Sequence, residues 1–412
     1  MQINSVDLSK FQIVYPRFPT GMDTVGYRLR SIFCDLFGCT LRDGYDTDLE
    51  EHPYEILLGE TNRAESADFY ETNRATLLSY HLAVKGTKVI LSCGGVYSAN
   101  RFVDQLASDY TAEDKLEWNE GTIQERSFLT SLVAPQAEKS EVRVMTANIL
   151  ADRFQRSWHG YLPFIERAEI FAAILATYRP DLIGAQEADS KWKLAFPYYI
   201  DILKKNYGLD YGWIAKSWYV EKFGDKDIGC MTNILYRADK WELLEEGKES
   251  FGYSNERDIG FEGCRMLSYG VFKKRDTGKH VAVFNAHWVG TIGQPIDNTL
   301  HLDYEIPAAV NLATRLSETF ENLHIFHTGD FNSWITHSEE PMMRIGNFWD
   351  SKTEARAKGV VKNDISGVRN DYCIDHIYMS KNANVLYHEV IITNKAQWLS
   401  DHLPQIADFC LS

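Results

Sequence analysis

At 412 residues the chain exceeds one ordinary domain, and its length leads us to expect two or three. A hydrophobic content of 44% and a charged content of 25% are those of a soluble globular protein rather than a disordered or fibrous one. The net charge of −15 disfavours nonspecific nucleic-acid binding, which needs a basic surface to release counterions. The seven cysteines are scattered and odd in number, with no CxxC pair or metal-finger spacing, so reduced core thiols are expected. The first residues, MQINSVDLSK, lack a basic-then-apolar signal pattern, and no apolar run is long enough to span a bilayer. A cytoplasmic location is the resulting expectation.

In chain order, Phe11–Tyr15 reads as a strand and Val25–Phe37 as a helix, with apolar residues at helical spacing. Tyr54–Leu58 is a second strand, and Tyr80–Val84 with Lys88–Ser92 form a hairpin whose Gly86 suits the turn. Ala99–Leu106 continues as a helix, completing a small α/β domain over 1–112 with no catalytic spacing in it. The stretch 113–140 is rich in Glu, Lys, Gln and Ser, and predicts a linker holding one short strand, Ser127–Val133.

From 141 to 412 the texture changes to apolar strands that each end in polar residues. Val142–Ala147 runs into Asn148. An amphipathic helix, Glu166–Thr177, precedes Asp181–Ala185, which delivers Gln186 and Glu187. Asn233–Tyr236 and Trp241–Leu244 read as a strand pair. Met266–Phe272 and His280–Ala286 follow, the latter delivering Asn285 and His287. A helix, Pro307–Phe320, leads into HIFHTGDFNSW. There Gly329 is expected to turn the backbone sharply and leave Asp330 and Asn332 projecting from the strand end. Cys373–Met379, Glu389–Thr393 and Gln405–Phe409 are late strands, with Asp401 and His402 just before the last. Strands outnumber helices, and hairpins mix with helical crossovers, so two stacked sheets with helices outside are expected.

Singly, each of these strand-end residues is bland, because an isolated Asn or His at such a place is usually a cap or a satisfied polar contact. Jointly, Asn148, Glu187, Asn285 with His287, Asp330 with Asn332, Asp375 with His376, and Asp401 with His402 form a set rich in carboxylates and amides and with few imidazoles. Such a set suits a hard cation, Mg²⁺ or Mn²⁺, and the absence of HExxH argues against a helical zinc site.

The motifs MTANIL, DLIGAQEAD, NILYR, VFNAHW, HTGDFNSW, IDHIYMS and SDHLPQ, in that order, resemble the endonuclease/exonuclease/phosphatase superfamily, the DNase I-like fold, over 142–412. The resemblance implies a four-layer α/β sandwich and metal-dependent cleavage of phosphate esters. It implies Glu187 as principal metal ligand beside Asn148, with Asp401 helping to hold the metal. It implies that Asp330 and Asn332 orient water and phosphate, and that His402 contacts the scissile phosphate with Asp375 hydrogen-bonded behind it. His287 stands where phosphatases, sphingomyelinases and deadenylases of the family have histidine and abasic-site nucleases have tyrosine. Separately, the phrase EILLGETNR at Glu55–Arg63 resembles the non-catalytic α/β domain that precedes the barrel in hexosaminidases and α-glucuronidases.

These readings point to a phosphoesterase acting on a small, sugar- or lipid-linked phosphate ester. The alternatives are a Mg²⁺-dependent nuclease, or a carbohydrate-binding protein carrying an inactive phosphoesterase domain. Arg265 is a candidate phosphate contact. Trp158, His159, Trp192, Trp213, Trp218 and Trp288 are candidate pocket walls, with core packing as the plainer role.

Overall fold

The computed structural model describes residues 2–17, 21–73, 75, 79–110, 117–121, 123–127, 133–152, 162–214, 231–251, 265–288, 301–332, 342, 344–365, 373–392 and 399–412. The chain divides into two compact units, one of residues 1–132 with 163–173, the other of 133–162 with 174–412.

In the first unit a six-stranded sheet runs in the order Arg42–Tyr45, Gln12–Tyr15, Glu55–Leu58, Lys88–Cys93, Ser79–Lys85, Ile123–Ser127. Every residue of Gln12–Tyr15 and Glu55–Leu58 is buried, as strands covered on both faces require. Met22–Phe37 and Val96–Asp109 pack on one face through Val25, Leu29, Phe33, Phe102 and Val103. A helix with a weak apolar stripe, Ala64–Thr72, gives Phe69 to the other face beside Val14, Leu57 and Ile90. The expected hairpin is there, antiparallel, with Gly86 at φ 58°. The sheet continues past 112, because Ile123–Ser127 pairs with Ser79–Ala83, and Glu117–Trp118 joins Gln2–Ile3 and Val6–Asp7 in a separate three-stranded sheet. The strand expected at Ser127–Val133 lies mostly outside the described residues.

The second unit holds a seven-stranded sheet in the order Tyr211–Ile214, Asn233–Arg237, Leu182–Gln186, Val142–Asn148, Gln405–Leu411, Ala383–Val390, Val361–Lys362. A six-stranded sheet runs Trp241–Ser250, Met266–Lys274, His280–His287, His324–Asp330, Asp375–Ser380, Phe348–Asp350. Period-two alternation sorts the side chains. On His280–His287, Val281 and Val283 join a core shared with Val142, Val144 and Leu182 of the seven-stranded sheet. Ala282, Phe284 and Ala286 point the other way, onto Ala309, Leu312 and Leu316 of the helix Ile306–Thr319. The result is two stacked mixed sheets flanked by helices.

Three expectations change. Asn233–Arg237 and Trp241–Ser250 are not partners, since the former pairs with Leu182–Gln186 and the latter with Met266–Lys274, in different sheets. Alternation reveals that a strand has an apolar face, but not which strand lies beside it. The helix Phe164–Tyr178 is buried through Ala168, Ile170–Leu175 and Ala176, on every face rather than along one stripe. Among the described cysteines all are free thiols, yet Cys34 is exposed rather than in the core; Cys230 and Cys264 lie outside the described residues.

The segment after 133, expected as linker, is pinned to the second unit. Arg143, 2% exposed, reaches Asp408 through Nε at 2.6 Å and Nη2 at 2.8 Å, and donates to the Tyr178, Ala134 and Pro135 carbonyls. A buried pair so fully hydrogen-bonded offsets its desolvation. Among the described residues no helix is long and apolar enough to cross a membrane.

Asp350 caps the helix Ser351–Lys358 by accepting the Thr353 N–H at 2.7 Å, and meets His376 Nδ1 at 2.9 Å. Burial pushes its carboxyl up, but the His376 hydrogen bond and charge, with the Thr353 N–H, outweigh this and hold it at about 2, below the ordinary 3.8. A depressed folded value gives stability that is present above the ordinary value and lost as pH falls through about 2. Asp350→Asn is therefore expected to cost about 2 kcal/mol near neutrality, with the gap to wild type closing over about pH 4 to 2. Urea midpoints of both proteins across that range measure it, and a gap independent of pH contradicts the pairing.

Candidate active site

The strand ends converge because their registers align. His287 lies opposite Asp330 in a parallel pair, and Asp330 lies opposite Asp375 in an antiparallel pair, so these residues line up across the six-stranded sheet. On the facing sheet Asn148 lies opposite Gln186, with Glu187 the next residue. Glu187 adopts φ 59° and Asn332 φ 45°, left-handed conformations that turn the chain at each strand end. The expected break at Gly329 is not there: Gly329 lies within the strand His324–Asp330. It must be glycine for another reason, since a Cβ would stand 2.7 Å from the Ala286 carbonyl. Asn332, not Gly329, makes the turn.

The Asn148 amide joins the sheets, donating from Nδ2 to Glu187 Oε1 and to Asp330 Oδ2, each at 3.1 Å. Glu187 Oε2 also accepts the Ala151 N–H at 3.0 Å. Asp330, 2% exposed, accepts the Asn332 N–H at 3.0 Å on Oδ1. Its Oδ2 lies 3.4 Å from His287 Nε2 and 3.7 Å from His402 Nε2. His402 Nδ1 lies 2.7 Å from Asp375 Oδ2, which joins residues 27 positions apart. Ser400 Oγ accepts the His402 N–H and donates to Asp401 Oδ1, fixing the SDH turn.

Burial is the main reason the Asp330 carboxyl is pushed up to about 6; the neighbouring Asp375 adds to this, and His402 opposes it. Burial works against a charged His402, but the Asp375 and Asp330 carboxylates and the bond to Asp375 outweigh it and hold the imidazole well above its ordinary value. The site thus keeps a carboxyl poised near neutrality beside an imidazole that favours its proton.

Ligand atoms of Asp330, Asp375 and His402 lie within 4.8 Å of one another, the one group of such residues close enough to hold a metal ion among those described. We read this trio as a proton-holding cluster, because an imidazole bonded through Nδ1 to a carboxylate and favouring its charged form offers no lone pair to a cation. The oxygen donors of Glu187 and Asp401 suit a hard divalent ion, and each Glu187 oxygen retains a lone pair beyond its one hydrogen bond. Asp375 Oδ1 is buried without a hydrogen-bond partner, so the site also holds negative potential that its own donors leave unmet. The donor chemistry at Glu187 suits a divalent ion. Asn148 stands differently: its Nδ2 faces the carboxylates and its Oδ1 accepts the Leu150 N–H at 3.1 Å, so in this geometry it is a bridging donor. Ligation through that oxygen requires the amide to turn over.

Asn332 donates from Nδ2 to the Trp288 carbonyl at 2.9 Å, which holds its side chain over the six-stranded sheet. Arg265 is used structurally, with Nη1 donating to the carbonyls of His287 at 3.0 Å and of Trp288. Trp192 and Trp288 are buried in the core, and Trp213 packs edge-on against Phe196; Trp158, His159 and Trp218 lie outside the described residues. Sequence reading gave no role to Thr146, Gln186 and Thr328, which turn out to be buried beneath the site. Their signal was present, as polar residues on the inward row of otherwise apolar strands.

The model of the Endonuclease/Exonuclease/phosphatase family matches residues 145–402. No curated protein matches the chain. Among solved structures, an endonuclease/exonuclease/phosphatase from Bacteroides vulgatus is similar at 21% identity and a TM-score of 0.51, covering 66% of this chain and 99% of that one. The human Nocturnin catalytic domain, solved with a bound sulfate, is similar at 17% identity and a TM-score of 0.51, covering 68% and 97%. ANGEL2, described as a 2′,3′-cyclic phosphatase and solved with adenosine-2′,3′-vanadate, is similar at 15% identity and a TM-score of 0.50, covering 67% and 97%. At such identities the likeness to these structures is one of fold. The family match is broader evidence, spanning more than half of the sequence: this chain belongs to the endonuclease/exonuclease/phosphatase family.

Proposed function

We propose that this chain hydrolyses a phosphomonoester or phosphodiester, with Mg²⁺ or Mn²⁺, and that its substrate is small, sugar-linked or lipid-linked. The observation that carries the reading is buried Asp330, held near neutrality by its surroundings and flanked by His287, His402 and the Asn148 amide. Asp330 takes the proton from an attacking water, worth about 10²–10⁴-fold in rate. Asn332 orients that water and the phosphoryl oxygen. His402, aimed by Asp375, donates to the phosphoryl oxygens as charge builds on them. His287 offers a second imidazole, whose Nε2 faces the same Asp330 oxygen as that of His402. A divalent ion on Glu187 and Asp401, when bound, supplies charge neutralisation for the phosphate and its departing oxygen.

The charge of −15 supports a small substrate over a polynucleotide track. The first unit is, in this reading, a non-catalytic companion. In the phrase that resembles the hexosaminidase-associated domain, polar groups are spent on the unit's own fold. Buried Glu55 accepts from Gln12, from the His52 N–H and from Arg63, whose guanidinium also donates to the Asp46 and Leu49 carbonyls. This supports a structural part for the phrase over a carbohydrate contact.

Purified protein is expected to hydrolyse aryl phosphate mono- or diesters with added Mg²⁺ or Mn²⁺ and to lose that activity in EDTA, recovering it on re-addition. Undiminished activity after metal removal overturns the metal dependence. Parallel DNA and RNA digests at low and high salt separate a nuclease, whose phosphate contacts weaken steeply with salt. A screen of phosphorylated sugars and lipids against wild type and Asp330→Ala then identifies the substrate class.

A further inference from the structure

Three strands that end at the site carry the same inward-facing order, apolar, then polar, then a site residue, and a fourth carries glycine in the middle and Gln186 at its end. On Val142–Asn148 the row is Val144, Thr146, Asn148, and on His280–His287 it is Val283, Asn285, His287. On His324–Asp330 it is Phe326, Thr328, Asp330, and on Leu182–Gln186 it is Leu182, Gly184, Gln186, with Glu187 next in the chain. Thr146, Asn285 and Thr328, with Gln186, form a fully buried polar layer between the apolar inter-sheet core and the site. Gln186 Nε2 donates across the sheets to Asn285 Oδ1 at 2.6 Å, and within its own sheet to Thr146 Oγ1 at 3.1 Å. Asn285 Nδ2 crosses back to the Ala185 and Asn233 carbonyls at 3.0 and 2.8 Å. Thr328 Oγ1 lies 3.3 Å from Asn285 Oδ1.

The sheets approach so closely here that a Cβ on Gly184 would stand 1.9 Å from Thr328 Oγ1 and 2.7 Å from Asn285 Oδ1. Apolar contacts are non-directional and let two sheets slide, whereas hydrogen bonds with fixed partners set one register. Asn148 and Glu187 ride on one sheet, His287 and Asp330 on the other, and the bond Asn148 Nδ2 to Asp330 Oδ2 crosses between them. We infer that Gln186 and Asn285 are positioning residues: their cross-sheet bonds fix the spacing between the two halves of the site, and so hold Asn148 between Glu187 and Asp330. For rate, the inference rests on the phosphoesterase reading; for geometry, it stands apart from it.

The test uses the full chain with Gln186→Met and Asn285→Ala. Gln186→Met is close in volume, and Gln186 Oε1 has no hydrogen-bond partner to lose, so this variant is the gentler of the two. Val144→Ala, in the apolar row of the same inter-sheet space, serves as a control for destabilisation alone. The first readout needs no activity: exchange of the Asn148 carboxamide protons, followed by NMR. Gln186→Met is expected to speed it at least about tenfold, while Val144→Ala leaves it near wild type. The second readout is kcat against KM well below the melting temperature. Gln186→Met and Asn285→Ala are expected to lose about 10–100-fold in kcat with little change in KM. In an Asn148→Ala background the further loss from Gln186→Met should shrink to about twofold or less, because the contact that it aligns is gone.

Unchanged exchange and kcat in Gln186→Met overturn the inference. So do changes that Val144→Ala reproduces at a matched loss of melting temperature, since the layer then only stabilises. If wild type hydrolyses no phosphoester, the proposed function falls by itself, and amide exchange alone decides whether the layer holds the site.

Discussion

Asp330→Asn is expected to lower kcat on any phosphoester substrate by about 10²–10⁴-fold while leaving the protein folded. The carboxamide is isosteric, and its oxygen keeps the Asn332 N–H at the Oδ1 place. Its NH2 replaces Oδ2, however, so the acceptor that faced Asn148 Nδ2, His287 and His402 is lost with the charge. What disappears is the proton acceptor. Burial holds that group near 6, where it is largely ionised at pH 7 yet basic enough to take a proton from water. The variant also removes a negative charge from the trio with Asp375 and His402. If the substitution acts on chemistry, KM changes far less than kcat, and melting temperature stays close to wild type. A loss confined to KM, with kcat preserved, assigns Asp330 to substrate binding instead.

Asp375→Asn is the second large effect, and it separates two roles for one cluster. Asp375 Oδ2 meets His402 Nδ1 at 2.7 Å, fixing the ring so that Nε2 faces the Asp330 side of the site. An oriented, charge-bearing donor to a developing oxyanion is worth about 3–4 kcal/mol, or on the order of 10²–10³-fold in rate. The asparagine variant loses the charge that favours the imidazolium, and the expected result is a drop of that order in kcat. Mn²⁺ affinity, read by titration calorimetry, is expected to stay near wild type, because the oxygen donors assigned to the ion are Glu187 and Asp401. Weakened Mn²⁺ binding with an unchanged rate at saturating metal reverses this. The group Asp330, Asp375 and His402 is then the metal site, and the pairing with His402 is incidental.

The sequence by itself carried the sheet architecture and the identity of the polar strand ends. Alternating rows such as Val281, Val283 against Ala282, Phe284, Ala286 record two buried faces, and a strand buried on both sides must lie between two other layers. Polar residues directly after such rows, as in TAN, GAQE, FNAH and TGDFN, stand out because nothing in an apolar core calls for them. Which strands are neighbours was beyond that pattern. Asn233–Arg237 and Trp241–Ser250 follow one another closely in the chain yet belong to different sheets, and only the packed pair of sheets decides this.

The same holds at the site. Nothing local distinguishes Asn285, which ties the sheets together, from Asn148, which bridges Glu187 and Asp330, since both are asparagines near strand ends. Nor does the phrase GDFN reveal that Gly329 makes room for the Ala286 carbonyl while Asn332 takes the left-handed turn. Side-chain chemistry is written in the sequence, but whether a polar group faces a partner sheet, a backbone carbonyl or the reacting atoms depends on distances across the fold. Those distances come from register and sheet separation, which are set by contacts between residues as far apart as Arg143 and Asp408.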